Sequence, residues 1–251
     1  MSLGRPIRRL GIVNRGEAAL RCIRAVKALR AVEGRPLEAV ALYTDVDRDA
    51  PFVRHADLAL PLPARFGPVA AYLDHDGLLE TLARAGADAV WPGWGFVAED
   101  PVFADRVAEA GLVFLGPPGD VMRALGDKIA AKRLAEQAGV PVAEWSGEAV
   151  AHEEAALKHA QRIGLPLVVK ASAGGGGRGI RVVERLEGLG AAVRSAAAEA
   201  RAAFGDDRLF LERKIHGGRH VELQLAADLH GRVLALGARD CSVQRRHQKL
   251  I

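Results

Sequence analysis

The sequence has few aromatic residues and few cysteines. Aromatic side chains make up 5% of the 251 residues, so platforms on which nucleic-acid bases could stack are scarce. The two cysteines, Cys22 and Cys241, are far apart in the chain and form neither a CxxC pair nor a disulfide framework, which fits a reducing cytosol. No apolar run approaches the roughly 20 residues of a membrane span. These absences argue against nucleic-acid-binding, disulfide-stabilised and membrane-spanning proteins, and they predict a cytoplasmic location.

The composition that remains is that of a globular protein. Hydrophobic residues make up 49% of the chain and charged residues 26%, which allows a substantial core. The net charge of +4 is compatible with anionic ligands, although surplus arginines solvated on helix faces explain it equally simply. Charge alone therefore predicts no particular partner.

The first part of the chain alternates between strand and helix patterns. The segment RRLGIVNRGEAALRCIRAVKALR predicts a short strand, a turn and an amphipathic helix with Ala18, Ala19, Cys22, Ile23 and Val26 on its apolar face. The alternation continues to about Pro118 and predicts an open, mostly parallel sheet with helices on both faces. A dinucleotide site would need G-x-G-x-x-G after the first strand, where this chain has NRGEAA. The sheet is thus Rossmann-like without the dinucleotide fingerprint.

From about Gly119 the pattern changes. Two helices closed by glycine are predicted in GDKIAAKRLAEQAG and HEEAALKHAQRIG, and a long alanine-rich helix is predicted in LGAAVRSAAAEARAAFG. In the first of these, Ile129, Leu134 and Ala138 share one side. RLFLERKI predicts a strand, and HVELQLAADLHGRVLALGARD predicts a hairpin that turns at His230 and Gly231. The basic end, CSVQRRHQKLI, has no cap or closing strand, so we expect a chain cut within a domain and an exposed sheet edge near residues 221–251.

The glycine run in KASAGGGGRGI poses the question of a phosphate site. In a P-loop the lysine follows the glycines and a helix begins behind it, whereas here Lys170 precedes them and the β-branched segment IRVVE follows. The pattern therefore predicts strand, glycine loop and strand. Taken alone, the run fits either a mobile lid whose amides approach an anion or an ordinary flexible hairpin.

Six motifs in order decide between these alternatives. NRGEAALR, GDKIAAK, VVKASAGGGGRGIRVV, FLERKI, RHVELQ and above all RDCSVQRRHQKL resemble the biotin carboxylase component of biotin-dependent carboxylases, a member of the ATP-grasp superfamily. The resemblance runs from about Arg9 to Ile251 and covers the N-terminal half of such a protein. It implies a Rossmann-like pre-ATP-grasp domain over residues 1–118, a helical connector over 119–142, an ATP-grasp lid over 143–214 and the start of the ATP-grasp catalytic domain over 215–251.

The resemblance also assigns roles to individual residues. Lys128 and Lys170 match the two lysines that bind ATP phosphates, and the loop Gly174, Gly175, Gly176 and Gly177 matches the lid that folds over them. The strand end from Glu212 through Arg213 to Ile215 matches the edge that reads adenine through its backbone. His220, Gln244 and His247 match polar residues of the nucleotide site, Lys249 matches the lysine that binds bicarbonate, and His247 and Lys249 are the catalytic candidates. Glu222 has a less defined role on the strand of His220.

The implied reaction is phosphoryl transfer from MgATP, or its manganese equivalent, to bicarbonate. The carboxyphosphate formed delivers CO2 to biotin held on a biotin carboxyl carrier protein or domain, and a carboxyltransferase then uses it, as in acetyl-CoA carboxylase of fatty acid biosynthesis, propionyl-CoA carboxylase or pyruvate carboxylase. A homodimer is expected for the full-length protein. In the family the metal-binding and base glutamates and an arginine lie beyond the position of Ile251, so we expect no metal site and no carboxylase turnover in these 251 residues alone.

Three other interpretations stay open. Another ATP-grasp carboxylating ligase, of the purine or carbamoyl-phosphate pathway, would share the lid and lysines but lack RDCSVQRRHQK. A non-catalytic nucleotide-binding or assembly module would use the basic end for an acidic partner. Nucleic-acid binding through Arg239, Arg245, Arg246 and Lys249 is disfavoured by the scarce aromatics. One departure from the family is WPGWGFVAED where HPGYGFLSEN is usual, which places Trp91 and Trp94 in that loop.

Overall fold

The structure is a computed structural model that describes residues 6–63, 65, 67–150, 152–173 and 178–245, together with the backbone of 248–249. The chain divides into two compact units, Met1–Ala124 and Leu125–Ile251. Within the described ranges, no helix is both long and apolar enough to cross a membrane.

The first unit contains the predicted parallel sheet. Its elements in chain order, the last of which runs across the unit boundary, are β1 (Arg9–Ile12), α1 (Gly16–Glu33), β2 (Glu38–Tyr43), α2 (Pro51–His55), β3 (Leu58–Pro61), α3 (His75–Ala85), β4 (Ala89–Trp91), α4 (Pro101–Glu109), β5 (Val113–Phe114) and α5 (Gly119–Gly126). All strand pairs are parallel and the strand order is β3-β2-β1-β4-β5. The predicted fold class is confirmed for this unit.

The sheet of the first unit is buried on both faces. In β2, Ala39 and Ala41 belong to one apolar cluster with α1, while Val40 and Leu42 belong to a second with α3 and α4. This arrangement explains why the strands read as continuous apolar runs. The predicted apolar face of α1 is confirmed for its buried residues Ala18, Ala19, Ile23 and Val26. Cys22 is half-buried, and burial raises the pKa of its thiol to about 12.

The end of β1 is tied to the loop that follows β4. These two strands are neighbours in the sheet although β2 and β3 lie between them in the chain. The Asn14 amide Nδ2 donates to Pro92 O at 2.8 Å and to Trp94 O at 2.9 Å, while its Oδ1 accepts from Arg15 N. The side chain of Asn14 thereby sets the course of the WPGWG loop, in which Trp94 is 58% exposed.

The second unit is built on antiparallel sheets. Its elements are α6 (Lys128–Gln137), α7 (Glu153–Ile163), β6 (Leu167–Ala171), β7 (Ile180–Val183), α8 (Leu189–Phe204), β8 (Leu209–Arg213), β9 (Val221–Ala227), β10 (Val233–Asp240), β11 (Gln244–Arg245) and β12 (Gln248–Lys249). A three-stranded sheet has the order β7-β6-β8, and β6 pairs antiparallel with both neighbours. The two strands predicted on either side of the glycine run are confirmed as β6 and β7, which pair with each other.

Helix α6 departs from its predicted apolar side. Ile129 is buried, but Leu134 is 46% exposed. Helices α7 and α8 instead supply buried apolar faces, which pack on one side of the three-stranded sheet.

The β9–β10 hairpin has no such cover among the residues that the structure describes. It turns at His230 and Gly231 as predicted, and a register shift interrupts its pairing between Ala235 and Ala238. Val221, Leu223 and Leu225 are each more than half exposed. The side chains of the hairpin are thus exposed, while the expected exposed sheet edge near residues 221–251 stays a prediction.

Candidate functional site

The three-stranded sheet presents a polar cluster on the face opposite α7 and α8. In β6, Leu167, Val169 and Ala171 point into the core with those helices, so Lys170 points to the other face. In β8, Phe210 also faces that side, where it packs with Ile129 of α6 and with Trp145. Strand alternation therefore places Lys170 and Glu212 beneath α6.

Glu212 lies between two ammonium groups. Its Oε1 is 2.5 Å from Lys170 Nζ and its Oε2 is 2.5 Å from Lys132 Nζ. Burial pushes the pKa of Glu212 up, but the hydrogen bonds from Lys132 and Lys170 outweigh it and hold the pKa below its ordinary value. The carboxylate is thus ionised at neutral pH and linked to both lysines.

Lys128, the first residue of α6, lies near Lys170 and the end of β6. Asp127 caps this helix by accepting from the backbone N–H groups of Ile129 and Ala130, both at 2.9 Å. Lys128 N donates to Ser172 O at 3.1 Å, and Lys128 Nζ donates to the same oxygen at 3.5 Å. The N-terminus of α6 is thereby fixed next to the start of the glycine run.

The electrostatics of this cluster favour an anion. Burial lowers the pKa of Lys128, and the neighbouring charge of Lys170 lowers it further. Lys132 and Lys170 share the carboxylate of Glu212, Lys128 lies near enough to Lys170 for their charges to interact, and Asp127 is engaged by Arg208 at 2.8 Å. A phosphate would relieve the repulsion between Lys128 and Lys170, and lysine is a common point-charge ligand for phosphate.

The glycine run itself, Gly174 to Gly177, lies outside the described residues, so its predicted contact with phosphate stays a prediction. Its C-terminal flank is well defined. Ala171 N donates to Gly179 O at 3.0 Å, and Gly179 N donates to Glu199 Oε2 at 3.1 Å. Arg181 Nη1 donates to the same oxygen of Glu199 at 2.8 Å. The strand after the glycines is therefore held on β6 and on α8.

The strand end predicted to read adenine is partly engaged within the chain. Arg213 N donates to Glu144 O at 2.8 Å, and Lys214 N donates to Pro166 O at 3.1 Å. The Arg213 guanidinium pairs with the Glu144 carboxylate at 2.8 Å. Ile215 follows these paired residues with a 70% exposed side chain. The backbone N–H of Arg213 is thus already used, which leaves Ile215 as the better candidate for a base contact.

A second group of predicted residues meets where the β9–β10 hairpin ends. Gln244 Nε2 is 3.1 Å from His220 Nδ1, and Cys241 N donates to His220 O at 2.6 Å. Ser242 Oγ accepts from His220 N at 2.9 Å. These bonds explain the RDCSVQ motif, because its polar atoms fold the segment back onto RH. Glu222, on β9 two residues after His220, forms an ion pair with Arg239 of the paired strand β10.

Two predicted catalytic candidates are beyond structural description. His247 lies outside the described residues, and for Lys249 only the backbone, in β12, is described. Their roles stay predictions.

Lys132 and Trp145 are site residues that the sequence interpretation missed. Lys132 Nζ lies 5.6 Å from the centroid of the Trp145 ring, which is 3% exposed. A signal for Lys132 was present, since its spacing of four residues from Lys128 places both on one helix face. Trp145 carried no comparable signal, because its position follows from packing against Phe210, with ring centroids 6.0 Å apart.

Magnesium needs carboxylates that are free to act as ligands. Among the residues that the structure describes, no three His, Cys, Asp or Glu side chains are grouped so that they could hold a metal ion. Glu212 already accepts from two ammonium groups. The described residues do not fit a resident magnesium site, and magnesium enters the proposed function only as part of the MgATP substrate.

Both units match known families. Residues 6–122 match the family described as biotin carboxylase, N-terminal domain, and residues 127–251 match the ATP binding domain of the carbamoyl-phosphate synthase L chain. A parallel α/β domain followed by an antiparallel sheet with converging lysines is the arrangement of an ATP-grasp protein.

Individual relatives narrow this class. The chain is 41% identical over 244 residues to biotin carboxylase of Haemophilus influenzae, which covers 96% of this chain and 52% of that protein. It is 43% identical over 241 residues to biotin carboxylase of Halalkalibacterium halodurans, again over 96% of this chain and 52% of that protein. The chain belongs to the biotin carboxylase family, and it spans about half the length of these curated relatives.

Solved structures agree with this assignment. A biotin carboxylase–β,γ-ATP complex from Campylobacter jejuni superposes with a TM-score of 0.90 at 41% identity, over 98% of this chain and 53% of that one. The biotin carboxylase domain dimer of Hydrogenobacter thermophilus 2-oxoglutarate carboxylase, solved with MgADP, ADP and bicarbonate, has a TM-score of 0.89 at 39% identity, over 98% of this chain and 52% of that one.

Proposed function

We propose that this chain supplies the nucleotide-binding part of a biotin carboxylase that uses ATP and bicarbonate to carboxylate biotin through carboxyphosphate. The observation that carries the proposal is the cluster of Lys128, Lys170 and Glu212 on one face of the lid sheet, beside the start of the glycine run. A complex with β,γ-ATP in a relative of the same fold supports it.

The proposed roles follow from charge and position. Lys128 and Lys170 neutralise the phosphates, while the glycine run, Gly174 to Gly177, closes over them and excludes water that would hydrolyse carboxyphosphate. The chain after Glu212, up to Ile215, contacts adenine, and His220 with Gln244 contacts the nucleotide from the hairpin side. Lys249 binds bicarbonate, and His247 belongs to the nucleotide site and is the second catalytic candidate.

The wider biology is part of the same proposal. Residues 1–118 form the N-terminal domain, 119–142 the helical connector, 143–214 the lid and 215–251 the start of the catalytic domain. The biotin is carried on a biotin carboxyl carrier protein or domain, and a carboxyltransferase completes the reaction in the cytoplasm, as in acetyl-CoA carboxylase of fatty acid biosynthesis. The dimeric biotin carboxylase domain of 2-oxoglutarate carboxylase supports a homodimer.

Isothermal titration of the chain with the β,γ-imido analogue of ATP tests the nucleotide site. Lys170→Met should weaken binding about ten- to hundredfold, because a charge-assisted hydrogen bond to phosphate is lost. Lys158→Met is the matched control, since Lys158 is an exposed lysine on α7 with a side chain 77% accessible, and it should bind like the unchanged chain. Equal binding by both variants would contradict the site.

A second candidate is another ATP-grasp carboxylating ligase, which the carbamoyl-phosphate synthase description of residues 127–251 supports. The match of residues 6–122 to the biotin carboxylase N-terminal domain favours the first candidate. Phosphate release by the protein that contains this chain, measured with bicarbonate and either free biotin or ammonia, separates the two. Stimulation by biotin supports the first, and stimulation by ammonia alone supports the second.

A further inference from the structure

Lys132 is bound to a different oxygen of Glu212 than Lys170 is. Lys132 Nζ contacts Oε2 and Lys170 Nζ contacts Oε1, each at 2.5 Å. Neither hydrogen bond therefore depends on the other, and Glu212 can release one lysine while it retains the second. Lys132 is the last residue of the GDKIAAK motif, but the resemblance assigns it no role.

The two lysines differ in burial. The side chain of Lys132 is 16% exposed and lies over the face of Trp145, whereas that of Lys170 is 30% exposed. A buried ring beneath an ammonium group stabilises the cation in place. Lys170 is thus the lysine free to swing toward a ligand, and Lys132 is the one held against the protein.

The burial of Glu212 makes the second lysine necessary. Its side chain is 13% exposed, and an ionised carboxylate left unpaired in such surroundings is strongly unfavourable. If Lys170 were its only partner, the departure of Lys170 to a phosphate would leave Glu212 unpaired. The nucleotide would then bind against the full penalty of a buried, uncompensated charge.

We propose that Lys132 is a positioning residue: it keeps Glu212 paired when Lys170 leaves that carboxylate for a nucleotide phosphate. Lys170 is then paired with Glu212 in the absence of nucleotide, and it can leave this ion pair at little cost in free energy. The inference rests on the proposed nucleotide site, and it assigns the part of that site that makes Lys170 available.

The surrounding charges leave this role to Lys132. The charged groups that act on Glu212 are Lys132 on α6 and Lys170 on β6, while Glu136 accepts from Trp145 Nε1 and Glu144 is paired with Arg162 and Arg213. Lys128 is directed to Ser172 O at the glycine run. Lys132 shares the carboxylate of Glu212 with Lys170.

The test is titration of the chain with the β,γ-imido analogue of ATP and, separately, with adenosine. Lys132→Met should weaken binding of the ATP analogue about tenfold or more and leave adenosine binding unchanged, because adenosine has no phosphate to draw Lys170 away. Lys132→Arg should restore binding, since it keeps the cation. Lys158→Met is the control for loss of a lysine elsewhere.

A double variant tests the mechanism itself. In a Glu212→Gln background no buried charge is left behind, so adding Lys132→Met should change the affinity for the ATP analogue less than twofold. This double variant also carries the test if Lys132→Met alone does not fold, because it contains no unpaired carboxylate.

Proton exchange gives a readout that a purely structural role would not move. Titrations in buffers of different ionisation enthalpy should show that Lys132→Met takes up a proton when it binds the ATP analogue, because Glu212 loses both lysines and is protonated. The unchanged chain should take up no proton at Glu212. Adding Glu212→Gln to Lys132→Met should abolish the uptake, because the carboxylate that is protonated is then absent.

The outcomes separate the two proposals. If the unchanged chain does not bind the ATP analogue, the proposed function fails and the role of Lys132 fails with it. If the unchanged chain binds and Lys132→Met binds equally well, or loses affinity for adenosine to the same extent, the inference fails while the nucleotide site stands.

Discussion

The three-stranded lid sheet and the β9–β10 hairpin are both antiparallel and both carry predicted nucleotide-site residues, yet they differ in what holds them. Strands β6 and β8 have α7 and α8 on one face and α6 with Trp145 on the other. The hairpin has exposed side chains on both faces, and its position is set by local hydrogen bonds such as those among Arg219, Asp240 and Ser242. The phosphate lysine thus sits on a packed scaffold, whereas His220 and Gln244 sit on a scaffold with its own hydrogen bonds but little packing.

The largest expected effect comes from the same deletion made in each region. Leu211→Ala should lower the free energy of unfolding by about 2–5 kcal/mol, because Leu211 of β8 is fully buried in the apolar cluster beneath α7 and α8. Leu223→Ala on β9 should change it by less than about 0.5 kcal/mol, because Leu223 is 55% exposed. Urea denaturation followed by circular dichroism measures both. A comparable loss of unfolding free energy in the two variants would show that the hairpin is packed in solution, and the proposed difference between the two regions would be wrong.

An intermediate effect is expected at two glycines with left-handed backbone. Gly179, at φ 67°, precedes β7, and a Cβ added there would lie 2.7 Å from the Ala171 Cβ. Gly231, at φ 81°, is in the hairpin turn, and a Cβ there would meet open space. Gly179→Ala should therefore destabilise the chain by about 2 kcal/mol, and Gly231→Ala by about 1 kcal/mol, which is the strain of the backbone conformation alone.

Thermal unfolding of both variants measures this pair, with Gly126→Ala as a control at a position that has neither a positive φ nor a close neighbour. Equal losses at Gly179 and Gly231 would mean that the contact with Ala171 relaxes without cost. The difference in stability between the lid sheet and the β9–β10 hairpin would then come from the helices that cover the sheet, not from close packing between its strands.

The smallest effect is a pH dependence. The pKa of Glu212 is held below its ordinary value of 4.5, against burial, by Lys132 and Lys170, so its ion pairs stabilise the fold above that value. This contribution should be lost as the pH falls from about 4.5 through the lower pKa of the folded state. In Glu212→Gln, the free energy of unfolding should therefore fall less steeply as the pH is lowered. Denaturant midpoints measured between pH 7 and pH 3 for both proteins test this.

The hairpin supplies the matched change. The pKa of Asp240 is also lowered, by hydrogen bonds from Ser242 and Arg219, but that carboxylate is exposed to solvent screening. Asp240→Asn should leave the acid limb of global unfolding nearly unchanged. A larger effect at Asp240 than at Glu212 would place the acid-sensitive interaction in the hairpin.

Local patterns in the sequence predicted most of the elements that position the site. The two strands that flank the glycine run follow from residue order, and the end of α7 follows from Gly164, which is the C-cap residue of that helix. The short strand β3 (Leu58–Pro61) was missed because four residues carry little periodicity, and it forms only by pairing with β2.

Long-range contacts of the site could not be predicted in the same way. Lys132 and Glu212 are 80 residues apart, and their pairing depends on α6 lying over one face of the lid sheet. The exposure of Leu134 reverses the expected apolar side of α6, because only Ile129 reaches the Trp145–Phe210 cluster. Tertiary packing, which no local pattern contains, decides both results.

The hydrogen bonds of Asn14 require a side chain at that position with two donors and one acceptor. Both amide hydrogens are consumed by carbonyls of the WPGWG loop, and the amide oxygen accepts from the next backbone N–H. Aspartate has the same shape but would set an oxygen against two carbonyl oxygens, leucine has the same volume but no polar atom, and glutamine is one methylene too long for a residue that is 3% exposed. None of these three replacements reproduces the two donated bonds to Pro92 and Trp94 that hold the WPGWG loop against the end of β1.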